Sequence, residues 1–135
     1  MDAPSLHALV VDDDPMMRVL LARLLSHFRL GRIDEAMNGE EALAAMAERA
    51  PDLVLCDIQM PGMDGRAVVR TIRSDARLGD VAVVAVTAVC DREVVVELLQ
   101  LGVRDYILKP LNLAVTHQRL AAVIGEVTRR KRAIA

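Results

Sequence analysis

Residues 9–15 read LVVDDDP: an apolar run, Leu9 to Val11, stops against three consecutive aspartates and Pro15. The run extends back to Ala8 and is continuously apolar, as expected of a strand covered on both faces. Past the aspartates the pattern changes period. Met17, Leu20, Leu21, Leu24 and Leu25 recur at helical spacing. Asp14 suits the N-cap of that helix and Pro15 its first position, which predicts a helix over Pro15–His27. A strand therefore meets a helix across a loop of carboxylates. Like charges side by side repel, so something must repay their crowding at the end of a buried strand.

Working outward, the same alternation repeats. Strands are predicted at Ala8–Val11, Ile33–Met37, Leu53–Cys56, Val81–Val86 and Tyr106–Leu108. Between them, Glu40–Ala50 follows Gly39 and ends before Pro51. Gly65–Arg73 carries Val68, Val69 and Ile72. Arg92–Leu101 stops at Gly102, a natural residue for a helix end, and Leu113–Thr128 comes last. Strand then helix, five times over, predicts an α/β fold: a parallel sheet with helices on both faces and right-handed crossovers. Sites in such sheets form beyond the carboxyl ends of the strands, where strand order switches direction. The sequence has no repeat, low-complexity stretch or internal linker. Its one shift in composition is the end, RRKRAIA, residues 129–135.

Composition narrows the function. A chain of 135 residues fits one domain. Apolar residues make up 53% and aromatics 1%, so the core must be aliphatic. The formal charge of −2 lacks the basic surplus of a nucleic-acid binder. Cys56 and Cys90 have neither the number of a disulfide scaffold nor the spacing of a zinc site. They read as small packing residues in a reducing compartment. No apolar run approaches the ~18 residues of a membrane span, and Met1–Ser5 lacks the features of a signal segment. A soluble cytoplasmic protein is expected. His7, His27 and His117 are scattered and read as surface residues without partners.

The predicted strand ends gather the chemistry. Asp12, Asp13 and Asp14 follow the first strand. Asp57 follows the third, in LVLCDIQMPGMDG, residues 53–65. Thr87 follows the fourth, in VVAVTAV, residues 83–89. Lys109 and Pro110 follow the fifth, in YILKP, residues 106–110. The second strand contributes no such group. Clustered carboxylates raise at least one pKa, and a hard divalent cation removes that penalty. Mg²⁺ prefers oxygen ligands and is held by one or two carboxylates together with phosphate oxygens. A lysine nearby completes a pocket for a phosphoryl group.

Four motifs in order, VVDDDP (10–15), DIQMPGMDG (57–65), VTA (86–88) and DYILKP (105–110), resemble the receiver domain of two-component response regulators. The resemblance spans roughly residues 6 to 125. It implies a flavodoxin-like doubly wound (βα)5 sheet in the order 2-1-3-4-5, an order the residues alone do not dictate. It further implies that Asp57 accepts a phosphoryl group from a histidine kinase or histidine phosphotransfer protein, with Mg²⁺ as cofactor. Asp13 would bind the ion directly and Asp12 would help, often through water. Asp57 and the backbone carbonyl of Gln59 would complete the protein ligands. Lys109 and Thr87 would take phosphoryl oxygens, and the small Ala88 would leave access to the site. Asp14 fits a capping role better than a metal role. Tyr106 is the expected reporter of the switch, turning inward as Thr87 moves. The readout surface would be helix 92–101, strand 105–108 and helix 113–128. A cis Lys109–Pro110 bond is expected, and Gln59 and Val89 are expected to tune the phosphorylated lifetime.

Several plainer readings stand beside these. Asp12–Asp14 also suits a solvated turn, Asp64-Gly65 suits a turn and helix cap, and Met60-Pro61 shapes the loop beside Asp57. Tyr106 also suits an ordinary half-buried aromatic. As whole-chain alternatives, a pseudo-receiver binding module would lack an acid, hydroxyl or lysine, and none is missing. A small metal-dependent phosphatase would need a cap for which the chain leaves no room. A flavin-binding sheet would not place aspartates in its first loop. The expectation is a receiver over residues 1–128 with a basic tail or linker start at 129–135, and no turnover of a small-molecule substrate. It acts through a downstream protein or output domain, as a monomer or a phosphorylation-promoted dimer, without membrane or direct nucleic-acid binding. It reads as a stand-alone receiver or as one cut from a longer regulator.

Overall fold

The computed structural model describes residues 5–88 and 91–134. Val89 and Cys90, read above as a lifetime-tuning and a packing residue, lie outside the described residues. Five strands alternate with five helices: β1 His7–Val11, α1 Pro15–Ser26, β2 Arg32–Ala36, α2 Gly39–Glu48, β3 Leu53–Asp57, α3 Gly65–Ser74, β4 Ala82–Thr87, α4 Arg92–Gln100, β5 Asp105–Leu108 and α5 Leu113–Ile134. The sheet is parallel throughout, in the order β2-β1-β3-β4-β5.

The strands read as continuous apolar runs because both of their faces are covered. Leu9 and Val11 of β1, Val54 and Cys56 of β3, and Val83 and Ala85 of β4 pack with Ala42 and Met46 of α2, Val68, Val69 and Ile72 of α3, and Leu98 of α4. The alternate residues Ala8, Val10, Leu53, Leu55, Val84 and Val86 pack with Leu21, Leu24 and Leu25 of α1 and Leu120, Val123, Ile124 and Val127 of α5. Neither layer needs a large aromatic. The edge strand β2 is different: only Ala36 is buried, so its sequence, RIDEA, is polar.

The helix ends follow from local chemistry. Asp14 caps α1 by accepting the Met16 N–H at 3.0 Å, with Pro15 beside it. At the end of α4, Gly102 adopts φ +78°. Its N–H meets the Leu99 carbonyl while the Val103 N–H meets that of Leu98, the paired closure of a Schellman motif.

Two expectations need correction. The last helix does not stop at Thr128 but runs to Ile134. Its basic end is docked: Lys131 Nζ lies 2.6 Å from the Ser5 carbonyl and 3.0 Å from Asp52 Oδ2, and Arg130 donates to the Asp80 carbonyl at 2.8 Å. His7 is not a lone surface residue. It opens β1 beside β2, its side chain is largely buried, and Nε2 pairs with Asp34 Oδ2 at 2.7 Å. His117 is exposed, as expected, and stacks on Phe28. Among the described residues, no helix is long and apolar enough to cross a membrane.

Candidate functional site

The chain runs from β1 outward to β2, then returns to place β3 on the other side of β1. The switch of direction opens a crevice beyond the ends of β1 and β3. Asp12 stands at the end of β1 and Asp57 is the last residue of β3, so the sheet itself delivers both carboxylates to the crevice. β4 delivers Thr87 and β5 is followed by Lys109. The groups that the sequence places at strand ends thus lie along one edge of the sheet.

Asp12 is wholly buried. Its N–H donates to the Ala36 carbonyl at 3.1 Å, its Oδ1 accepts the Asp14 N–H at 2.9 Å, and its carbonyl accepts from Arg18 at 2.8 Å. Arg18 also meets Glu35 at 3.4 Å. This brace escaped the sequence reading, although Arg18 lies one turn after Asp14 and so on the same side of α1. Asp12 Oδ2 is buried without a hydrogen-bond partner; Lys109 Nζ lies 2.9 Å away but off line.

Asp57 is 4% exposed. Its Oδ1 accepts the Gln59 N–H at 3.2 Å, and its Oδ2 faces Lys109 Nζ at 3.3 Å. The loop beyond it folds back tightly. The Gly65 N–H donates to the Ile58 carbonyl at 3.0 Å. A Cβ at Gly65 would fall 2.4 Å from the Asp57 carbonyl oxygen, so glycine is required where α3 starts against the end of β3. Asp64 caps α3 through the Ala67 N–H, as its turn chemistry suggested.

Burial is the main reason that the Asp57 carboxyl is pushed up to about 6, and the charge of Asp12 adds to it; Lys109 and the Gln59 N–H pull the other way. Burial opposes the charge on Lys109, but Asp12 and Asp57 outweigh it and hold its pKa above the ordinary value. Burial raises the Cys56 thiol, with Asp57 and Asp12 reinforcing it, and Sγ donates to the Asp57 carbonyl at 3.4 Å. Cys56 is thus a neutral packing group.

Asp12, Asp13 and Asp57 each offer a carboxylate oxygen, all within 4.8 Å of one another. The donors are all hard oxygens, Asp13 is exposed, and the buried Oδ2 of Asp12 has no hydrogen bond. This set fits Mg²⁺, which keeps several waters beside a few carboxylates. Thr87 is buried, and its carbonyl accepts the Lys109 N–H at 3.1 Å. Ala88 is exposed. The Lys109–Pro110 peptide bond is cis. Tyr106 is half-buried, and its hydroxyl donates toward the carbonyls of Val103, at 3.2 Å, and Val95, at 3.5 Å. It stands apart from the carboxylates, against the α4 side of the core.

Fold and site together define a doubly wound α/β domain with a cluster of carboxylates and a lysine at its switch point, and the comparisons with known proteins give its family. The family model of the response regulator receiver domain matches residues 8–121. The chain is 34% identical over 116 residues to the chemotaxis protein CheY-3 of Vibrio cholerae, covering 86% of this chain and 89% of that protein. It is 36% identical over 126 residues to a protein of Halalkalibacterium halodurans named a probable C4-dicarboxylate response regulator, DctR. That match covers 91% of this chain and 51% of the relative, so the chain spans about half of that regulator's length. Among solved structures, the signal receiver domain of a signal transduction histidine kinase from Syntrophus aciditrophicus superposes with a TM-score of 0.78 at 29% identity, covering 93% of this chain and 91% of that one. The chain belongs to the response regulator receiver domain family, whose function is to accept a phosphoryl group on an aspartate in two-component signalling.

Proposed function

We propose that Asp57 is the phosphoacceptor, loaded from a phosphohistidine of a histidine kinase or phosphotransfer protein. The observation that carries this reading is the placement of one nearly buried carboxylate at the end of β3, within metal-sharing distance of Asp12 and Asp13 and 3.3 Å from an ammonium. In the transfer an Asp57 carboxylate oxygen bonds to phosphorus as the phosphorus–nitrogen bond breaks, and the imidazole leaves with the bonding electrons. Such transfer needs positioning and charge neutralisation more than covalent assistance. Asp12, Asp13, Asp57 and the Gln59 carbonyl would hold Mg²⁺. The chemistry a bound ion supplies is neutralisation of the carboxylates and of the phosphoryl oxygens. Lys109 turns from its two carboxylates to a phosphoryl oxygen, Thr87 takes another, and Ala88 leaves the approach open.

The acyl phosphate adds charge and acceptor oxygens at the end of β3. Thr87 responds to it, Tyr106 senses the movement, and the surface of α4, β5 and α5 changes. That surface exposes Val96, Leu99, Leu108, Leu113 and Val115, an apolar set suited to a protein partner, an output domain or a second copy after phosphorylation. In this reading the receiver body reaches residue 128, with residues 129–135 as its basic end. It works in the cytoplasm, bound to neither membrane nor nucleic acid, and turns over no small-molecule substrate. The test is incubation with Mg²⁺ and acetyl phosphate followed by intact mass. A gain of one phosphoryl group, abolished by Asp57→Asn and by EDTA, supports the reading; no gain overturns it.

A further inference from the structure

α4 buries fewer side chains than the other helices: Leu98 alone is fully buried, with Val94 packed partly buried against the core. Charge holds it as well. Glu97 takes Arg66 Nη1 on one oxygen at 3.3 Å and Arg70 Nη1 on the other. Arg66 Nη2 reaches back to Asp64 Oδ2 at 3.1 Å, and the second oxygen of Asp64 caps α3. An unbroken set of contacts thus runs from the loop after Asp57, through the first turns of α3, to the middle of α4. Gln59, whose N–H meets Asp57 Oδ1 at 3.2 Å, also lines one groove with Asp64 and Arg66, which ties the phosphoacceptor loop to the guanidinium that holds Glu97.

We propose that Glu97, with Arg66 and Arg70, is a latch that holds α4 against α3 in the unphosphorylated protein and so sets how readily Asp57 is loaded. Glu97 is a positioning residue: it acts through Arg66 and touches no reacting atom. The proposal rests on the reading of Asp57 as phosphoacceptor. Contacts made in the resting arrangement and released in the loaded one stabilise only the former. Cutting them moves the balance toward the loaded state without changing any group at the phosphoryl site. The pairs are partly exposed, so the effect is modest and sensitive to salt.

The test titrates the full chain with beryllofluoride and Mg²⁺, a stand-in for the phosphoryl group. Tyr106 supplies the signal: it is the only tyrosine, the chain has no tryptophan, and its hydroxyl reaches the α4 carbonyl of Val95. Glu97→Gln, which keeps volume and removes charge, is expected to respond at about threefold lower beryllofluoride, the scale of exposed ion pairs. Arg70→Gln, on the exposed side of the latch, is expected to shift it the same way. Salt at about 0.5 M, where the screening length falls to about 4 Å, should narrow the gap between the wild type and Glu97→Gln, each compared with itself at low salt. An unchanged or higher midpoint in folded Glu97→Gln, or in Arg70→Gln if the first variant melts early, overturns the latch while leaving Asp57 its role. A wild type that does not respond at all overturns the phosphoacceptor reading and the latch with it.

Discussion

At the amino edge of the sheet, Arg73 places its guanidinium on three carbonyls, those of Leu101, Gly79 and Val81, at 2.7 to 2.8 Å. Lys131 bridges Ser5 and Asp52, and His7 meets Asp34. At the carboxyl edge, Asp12 and Asp57 are buried together with one ammonium between them, and one oxygen of Asp12 has no hydrogen bond. The amino edge answers its charges within the chain, although the buried Nδ1 of His7 also has no hydrogen bond. The carboxyl edge keeps an excess of negative charge that a hard cation would answer. Stability is built at one end, and the other holds a local conflict that a bound cation would relieve.

Substitutions at the two edges sharpen this contrast. The largest effect is expected for Asp57→Asn, which should abolish phosphorylation by acetyl phosphate outright. In metal-free buffer near pH 7.5 the same change should stabilise the fold by about 2 kcal/mol, because it removes one of two repelling carboxylates. Denaturant melts with and without EDTA check this. At the other edge, Arg73→Met should do the reverse: it strands three carbonyls, lowers stability by about 3 kcal/mol, and leaves phosphorylation of the folded protein intact.

The pH dependence follows from Asp57. Its carboxyl titrates near 6 in the folded chain against an ordinary value of 3.8. Between those values the folded state holds a proton that the unfolded state has released. The stability of the metal-free protein therefore falls as pH rises through this window, by up to about 3 kcal/mol, and the loss persists above it. Chemical denaturation across the window should show the decline in wild type, and neither in Asp57→Asn nor at saturating Mg²⁺. The smallest effect is expected for Lys131→Ala, about 0.5 kcal/mol for a partly exposed pair. Hydrogen exchange should then quicken in the last turn of α5 and nowhere near Asp57.

The contrast also explains what could be read in advance. The apolar runs and the residues at the strand ends carried the α/β class and placed Asp12, Asp13, Asp57, Thr87 and Lys109 on one edge of the sheet, because strand alternation with helices fixes where carboxyl ends lie; the strand order came with the family resemblance. The amino edge was opaque. α5 outruns Thr128 because Lys131 and Arg130 find a carboxylate and carbonyls from distant loops, and no local pattern announces such partners. His7 has no motif either; its partner Asp34 comes from the neighbouring strand. The clasp of Arg66 and Arg70 on Glu97 depends on how α3 and α4 pack, which periodicity does not specify.

The most direct test of the conflict at the carboxyl edge is the carboxyl ¹³C titration of Asp57 by NMR, with and without Mg²⁺. The account predicts a midpoint near 6 in the metal-free protein and a shift of more than one unit downward when the ion binds. A midpoint at the ordinary carboxylate value, unmoved by Mg²⁺, would contradict it.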